Sequence, residues 1–242
     1  MTTKQNQSII GKNLTQAIIC DFDGTITVQD VTDEILKKFA DPSWRDVGGL
    51  YSNGIISHAE MNKRFTALLR ATPTELKNFL IETIQLRNGF TDFVNLCKDS
   101  GILLIIVSSG WDFYIKSSIK EAIFITNLDA IFTFKKSSIP VISNHIFFNE
   151  INHRWYLKLP WNSHSCKISS PCKGIIVNLL RERGINNIIS IGNSESDICM
   201  AQESNLVFAT DSLVNICIKK SIAFQRFKSF TEINRTLFVS HQ

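Results

Sequence analysis

Ala17-Ile18-Ile19-Cys20-Asp21-Phe22-Asp23-Gly24-Thr25 is the stretch whose reading decides the fold. Four apolar residues end abruptly in two acids and a glycine, the pattern of a buried strand that delivers carboxylates at its C-terminal end. Two further runs repeat it. Ile102 to Val107 leads into Ser108-Ser109-Gly110 and a helix-like stretch from Trp111 to Glu121; Ile188 to Ile191 leads into Gly192-Asn193-Ser194-Glu195-Ser196-Asp197 and another helical stretch. Strand, small or acidic residues, then helix, in that order three times, predicts βα units in a parallel sheet. The polar residues then gather at the carboxyl edge, where open α/β sheets bind ligands.

The fold class expected is therefore α/β, with a Rossmann-like, mostly parallel sheet core. About 80 residues between the first two strands read mainly as helix: Val31 to Phe39, Ser57 to Arg70, Thr74 to Leu86 and Phe90 to Lys98. A crossover needs far less, so an inserted helical cap is expected over 29–89. The stretch 123–161, rich in Ile, Phe and Val between Asn and Ser clusters, predicts a small β-rich insert of short antiparallel strands. Lys173 to Glu182 reads as a helix, Leu206 to Ala209 and Ile222 to Phe224 as the last strands, and Phe230 to Leu237 as a closing helix. Residues 1–15 are polar and expected to form a flexible tail, leaving 16–28 and 90–242 as the core.

The chain has 242 residues, 44% of them hydrophobic and 20% charged, enough apolar surface for a large core without disulfides. The longest aliphatic run is Ile102 to Val107, too short to span a bilayer. The N-terminus has no apolar stretch of signal-peptide length, and the six cysteines are scattered, so a cytoplasmic protein with reduced thiols is expected. A net charge of +4 from dispersed lysines and arginines argues against nucleic acid. No membrane or nucleic-acid partner is expected, and the oligomeric state is not readable from the sequence.

Asp21 and Asp23 stand two residues apart just past a strand end, where both can face one pocket. Two anions so close repel, and a cation between them resolves the repulsion. The bland reading is a pair of turn-forming acids. A calcium loop of the EF-hand type fails, because its sixth and twelfth positions would be Ile26 and Thr32 rather than Gly and Glu.

Taken in order, Asp21-Phe22-Asp23-Gly24-Thr25-Ile26-Thr27, Val107-Ser108-Ser109-Gly110, the lone Lys173 and Gly192 to Asp197 resemble the four motifs of the haloacid dehalogenase superfamily. Within it the chain looks like the phosphoserine phosphatase branch. It is most like the methionine-salvage phosphatases that act on 2-hydroxy-3-keto-5-methylthiopentenyl-1-phosphate, through Asp30, Leu86 to Phe90, Ser108 to Tyr114, and Trp161 to Lys173. It departs from them at Asn88, where Pro is usual, at Ser109, where Gly is usual, and in having fewer cysteines before the lysine.

The resemblance implies a Mg²⁺-dependent phosphomonoesterase acting on a small phosphorylated metabolite through an aspartyl-phosphate. Asp21 would be the nucleophile and Asp23 the acid/base. Ser108 and Lys173, with the N–H groups of Ser109 and Gly110 at the start of the Trp111 helix, would hold the phosphate. Mg²⁺ would be bound by Asp21, Asp23, Asn193 and Asp197. Asn193 stands where the family has Asp, which lowers the charge of the metal site by one and raises the alternative of a catalytically weak or silent member binding a phosphorylated ligand. A phosphotyrosine-protein phosphatase is a further alternative, disfavoured by the cap. Asp30 and Arg87 are expected near the substrate, although Asp30 equally suits a helix N-cap, Ser108 a cap and Lys173 a solvated helix turn. His164, Cys166 and Cys172 invite a zinc reading but lack paired ligand spacing, and loop or core roles compete with it.

Overall fold

A computed structural model describes residues 14–125, 127, 130–131, 138–162, 166 and 168–239. The quoted apolar run is the first strand, β1 (Gln16–Cys20), at the centre of the sheet. It pairs in parallel with β2 (Leu103–Trp111) on one side and β6 (Asn187–Gly192) on the other. Ile18 and Cys20 join one apolar layer while Ala17 and Ile19 join the other, and all four are fully buried. Successive side chains of a strand point to opposite faces, so a continuous apolar run is what a sheet covered on both sides requires.

Outward from β2 lie β4 (Ile139–Asn149) and β3 (Ala122–Phe124), both parallel to their neighbours; outward from β6 lie β7 (Leu206–Ala209) and β8 (Gln225–Arg226). The last strand, β5 (Arg154–Lys158), pairs antiparallel with the far half of β4. The antiparallel expectation for 123–161 thus holds only for this hairpin. β3 and the near half of β4 extend the parallel sheet, because the buried residues from Ile139 to Asn144 need cover on both faces. The strand expected at Ile222 to Phe224 is displaced to Gln225–Arg226.

Between β1 and β2 run α1 (Val31–Phe39), α2 (Trp44–Ser52), α3 (His58–Leu68), α4 (Pro73–Thr83) and α5 (Phe90–Asp99). Local capping starts three of them. Asp30 Oδ1 accepts from Asp33 N at 3.0 Å, Ser57 Oγ from Glu60 N at 3.2 Å, and Thr72 forms a reciprocal capping box with Glu75 ahead of Pro73. α5 packs on the sheet through Phe90 and Phe93, whereas α1 to α4 make up the segment expected as a cap, and α1, α2 and α3 line a cleft with the loops at the carboxyl edge. The cap's two connections pair with each other: Val28 N donates to Gln85 O (2.9 Å) and Arg87 N to Ile26 O (2.7 Å), around an antiparallel bridge at Thr27 and Leu86.

After β2 come α6 (Asp112–Ser118), α7 (Lys173–Glu182), α8 (Ile198–Glu203), α9 (Asp211–Lys219) and α10 (Phe230–Asn234), the last continuing as a wide turn to Val239. The closing helix expected from Phe230 to Leu237 is present, α-helical to Asn234 and continuing as a π-helix from Arg235 to Val239. Apart from Leu14 and Thr15, the expected tail lies outside the described residues, and so does His164. Among the described residues no helix is long and apolar enough to cross a membrane.

Candidate active site

The ends of β1, β2 and β6 and the start of α7 meet at one point. Asp21 N donates to Ile191 O at 2.9 Å, so the first acid is still registered against β6 as the chain leaves the sheet. Its carboxylate is met by the Lys173 ammonium at Oδ1 and by the Thr25 hydroxyl at Oδ2 (3.2 Å). Lys173, fully buried on the first turn of α7, also reaches Asp197 Oδ1 at 2.5 Å. One ammonium between two carboxylates leaves a net negative charge in a buried place. Burial and the Asp197 charge push Asp21 up to about 7 against the pull of Lys173. Burial works against the charged lysine, but Asp197 and Asp21 outweigh it and hold the ammonium above its usual range.

Asp23 turns the other way. Its Oδ1 accepts from Val31 N (3.1 Å), and its Oδ2 meets the Tyr114 hydroxyl (2.6 Å) and the Ser108 hydroxyl (3.2 Å). Burial, reinforced by the nearby Asp30 charge, pushes its carboxyl well above the ordinary range. Gly110 makes this approach feasible: a Cβ there would lie 1.5 Å from Tyr114 Oη and 2.4 Å from Asp23 Oδ2.

Several expectations are corrected by position. Ser108 to Trp111 remain strand, because Trp111 still pairs with Asn144, and the helix begins only at Asp112. The Gly110 N–H is not free for phosphate, since it donates to Ser108 Oγ at 2.9 Å. The buried Ser109 hydroxyl, by contrast, has no partner and its residue lines the cleft. Asp197 does not face the cleft: Lys173 takes one oxygen, and the N–H groups of Asn193 (2.8 Å) and Ser194 (3.0 Å) take the other. Direct metal ligation by Asp197 would break those bonds. Nor does Arg87 line the cleft. Its guanidinium grips the carbonyls of Gly24 (2.7 Å), Thr25 (2.9 Å) and Lys228 (3.1 Å) from behind the loop. Asp30 meets both readings, capping α1 and lining the cleft, where burial raises its carboxyl to about 6.

A divalent cation fits the donor set. Asn193 Oδ1 is buried without a hydrogen-bond partner, and its amide lies against Gly24 in the loop that carries Asp21 and Asp23. A buried oxygen without a partner, on a side chain packed against the loop that carries two carboxylates, is a donor a hard cation can use.

The cleft has a volume of about 400 Å³. Five acids line it (Asp21, Asp23, Asp30, Asp33 and Glu195), and no lysine or arginine does so among the described residues. The cap contributes Trp44, Met61 and Phe65 as an apolar wall, with Tyr51, His58 and Asn62. Sequence reasoning assigned no role to Tyr114, Asn62, His58 or Asn144. Asn144 Nδ2 holds the Ser109 and Ser170 carbonyls at 2.7 and 2.8 Å. Tyr114, Asn62 and Asn144 are brought in by contacts 26 to 91 positions apart and His58 by Asn62 on the same helix; only Tyr114 lay in a stretch the resemblance had picked out.

Comparison with known proteins fits this geometry. The 2-hydroxy-3-keto-5-methylthiopentenyl-1-phosphate phosphatase of Bacillus cereus (strain G9842) is 30% identical over 230 residues, covering 91% of this chain and 94% of that protein. The enzyme of the same name from Geobacillus thermodenitrificans (strain NG80-2) is 30% identical over 226 residues, covering 89% and 92%. In fold, a substrate-bound phosphoserine phosphatase superposes with a TM-score of 0.67 at 17% identity, covering 93% of this chain and 99% of that one. The haloacid dehalogenase-like hydrolase pattern matches residues 18–202, three-quarters of the chain and all four motifs, and the chain belongs to that family.

Proposed function

We propose that this chain is a Mg²⁺-dependent phosphomonoesterase whose substrate is a small metabolite phosphate with an uncharged, partly apolar carbon chain. The 2-hydroxy-3-keto-5-methylthiopentenyl-1-phosphate named for its relatives is of that kind. One observation carries the substrate class: among the described residues the cleft combines an apolar cap wall with five acids and no lining lysine or arginine. A substrate carboxylate, as in phosphoserine, would meet like charge without a partner. The thioalkyl tail of the relatives' substrate would meet Trp44, Met61 and Phe65.

Asp21 attacks phosphorus in line, so that one difficult hydrolysis becomes two easier steps through an aspartyl-phosphate. Lys173, buried behind the cleft lining, steadies the Asp21 carboxylate, and Asp197 holds Lys173 in place. Asp23 carries the proton for the leaving alkoxide on Oδ2, because the Val31 N–H facing Oδ1 can only donate whereas the hydroxyls facing Oδ2 can also accept. It then takes a proton from the attacking water. The Ser109 hydroxyl replaces the Gly110 amide as a phosphate donor. Asp21, Asp23 and the Asn193 oxygen would hold Mg²⁺, which when bound would supply the positive charge that lets a phosphate dianion settle beside a carboxylate. We assign residues 16–28 and 90–242 to the core and 29–89 to the cap. Six unpaired cysteines support a cytoplasmic setting.

The test is hydrolysis with and without Mg²⁺ across an aryl phosphate, phosphoserine and neutral alkyl or thioalkyl phosphates. Turnover is expected to need Mg²⁺ and to vanish in Asp21→Asn. The neutral esters should exceed phosphoserine in kcat/KM by about 100-fold, the cost of one unpaired buried charge. No turnover on any ester would favour the silent reading raised by Asn193. Phosphoserine as the preferred substrate would overturn the substrate class.

A further inference from the structure

Beside the cleft, three thiols that share no local motif converge. Cys166 comes from the loop before α7, Cys172 is the N-cap of α7, and Cys199 lies in the first turn of α8; their sulfurs all lie within 4.8 Å of one another. Cys199, 27 positions beyond Cys172, had no place in the zinc reading of the sequence. The fold brings it in through Gly174, where a Cβ would come within 2.9 Å of the Cys199 Cβ; only a residue without a side chain lets α7 and α8 cross this closely.

We propose that Cys166, Cys172 and Cys199 form a Zn²⁺ site, three thiolates with the fourth position open to water or a small donor. A tetrahedral ion with Zn–S bonds of about 2.3 Å places its sulfurs about 3.8 Å apart, within reach of this cluster by rotation of side chains. A disulfide joins two sulfurs and leaves the third idle, whereas a soft metal uses all three. Zinc takes thiolates: the Cys199 thiol and the first N–H groups of α7 favour Cys172 as the anion, while the same contact and burial hold the Cys199 thiol above its usual range, so the metal must displace that proton on binding. Cys166 and Cys199 are half-buried, which leaves an entry path. The site would clamp together the residues that follow and precede it, Lys173 on α7 and Asp197 before α8. It is therefore a positioning site for that pair and takes no part in the chemistry. It stands apart from the phosphatase reading, whose cation is bound by oxygen.

The test titrates the whole reduced protein, in excess Mg²⁺, with Co²⁺ as a spectroscopic probe and then with Zn²⁺. One Co²⁺ per chain is expected to bind with thiolate-to-cobalt charge-transfer absorption and to be displaced by one Zn²⁺. Cys199→Ser and Cys166→Ser should lose the absorption, and Cys217→Ser should keep it. A thiophilic chelator should lower the melting temperature of the zinc-loaded wild type by several degrees. Absence of the charge-transfer band in the wild type overturns the proposal, as does its survival in Cys199→Ser. Should Cys199→Ser fail to fold, Cys166→Ser, on a loop, decides by the same reading.

Discussion

Asn193 is the residue on which the strength of the cation site turns. Its amide presents one neutral, unpartnered oxygen to a place where a carboxylate would add a full charge. Asn193→Asp is therefore expected to lower the Mg²⁺ concentration for half-maximal rate by about tenfold, read from metal titrations of the initial rate. His58 gives a second prediction at this scale. Trp111 Nε1 can only donate, so the atom it meets at 3.2 Å is Asn62 Oδ1; Asn62 Nδ2 then faces His58 Nδ1 at 3.2 Å and forces that nitrogen to accept. Burial and the Lys173 charge agree with a neutral ring, lowering the His58 pKa to about 4. The folded value lies below the ordinary 6.5, so the stability due to the neutral ring is full above about pH 6.5 and is lost as pH falls towards 4. At pH 5 the loss is about 2 kcal/mol relative to pH 7. The melting temperature of His58→Gln relative to wild type should therefore rise by roughly 5 °C between pH 7 and pH 5. None of this chain from Trp111 to His58 was legible in the sequence. Each residue reads as ordinary helix or strand, and the pairing exists only after cap and core have met.

At the scale of elements, legibility followed burial. β1 and β6 show in the sequence because strands buried on both faces are apolar without interruption, and α1, α7 and β7 start and stop where punctuation says they should. α2 is invisible by the same criteria: it carries Gly48 and Gly49 in its middle and has no side-chain cap, and packing of Trp44 against Phe65 holds it instead. β2 breaks its pairing with β4 after Val107 and resumes it at Trp111 opposite Asn144, an irregularity over Ser108 to Gly110 that the sequence does not announce. Arg87 was legible as part of the site but not in its role, since a guanidinium gives no hint of whether it will meet a ligand or three carbonyls. It fastens the paired connections of the cap to the loop that holds Asp21 and Asp23. Arg87→Ala removes three charge-assisted bonds and should lower stability by about 2–3 kcal/mol and kcat by about tenfold, with KM little changed. Arg87→Lys should recover less than half of kcat, because one ammonium cannot span the carbonyls of Gly24 and Thr25 together. Thermal melts alongside steady-state kinetics measure both.

Over the whole molecule, cap and core are fastened at points that sequence order keeps far apart. Tyr51 Oη donates to Ile168 O (2.9 Å), and Trp155 Nε1, on the β4–β5 hairpin, donates to Ala71 O (2.7 Å). The hairpin therefore reaches past the sheet edge to hold the cap, which gives the expected β-rich insert a purpose its composition did not reveal. The third fastening lies inside the cleft, where Asn62 of α3 accepts from Trp111 at the end of β2. A bond between cap and core exists only while the cap is seated, so its loss falls on the closed state and not on the core. Asn62→Leu keeps the volume but leaves the buried Trp111 N–H without a partner, a cost of about 1–3 kcal/mol. Charged to the closed state, that cost lowers kcat/KM by about 10- to 100-fold while the core's melting temperature moves by only a few degrees. The opposite result, a large fall in melting temperature with kcat/KM intact, would mean that substrate enters and product leaves without the cap lifting at this point.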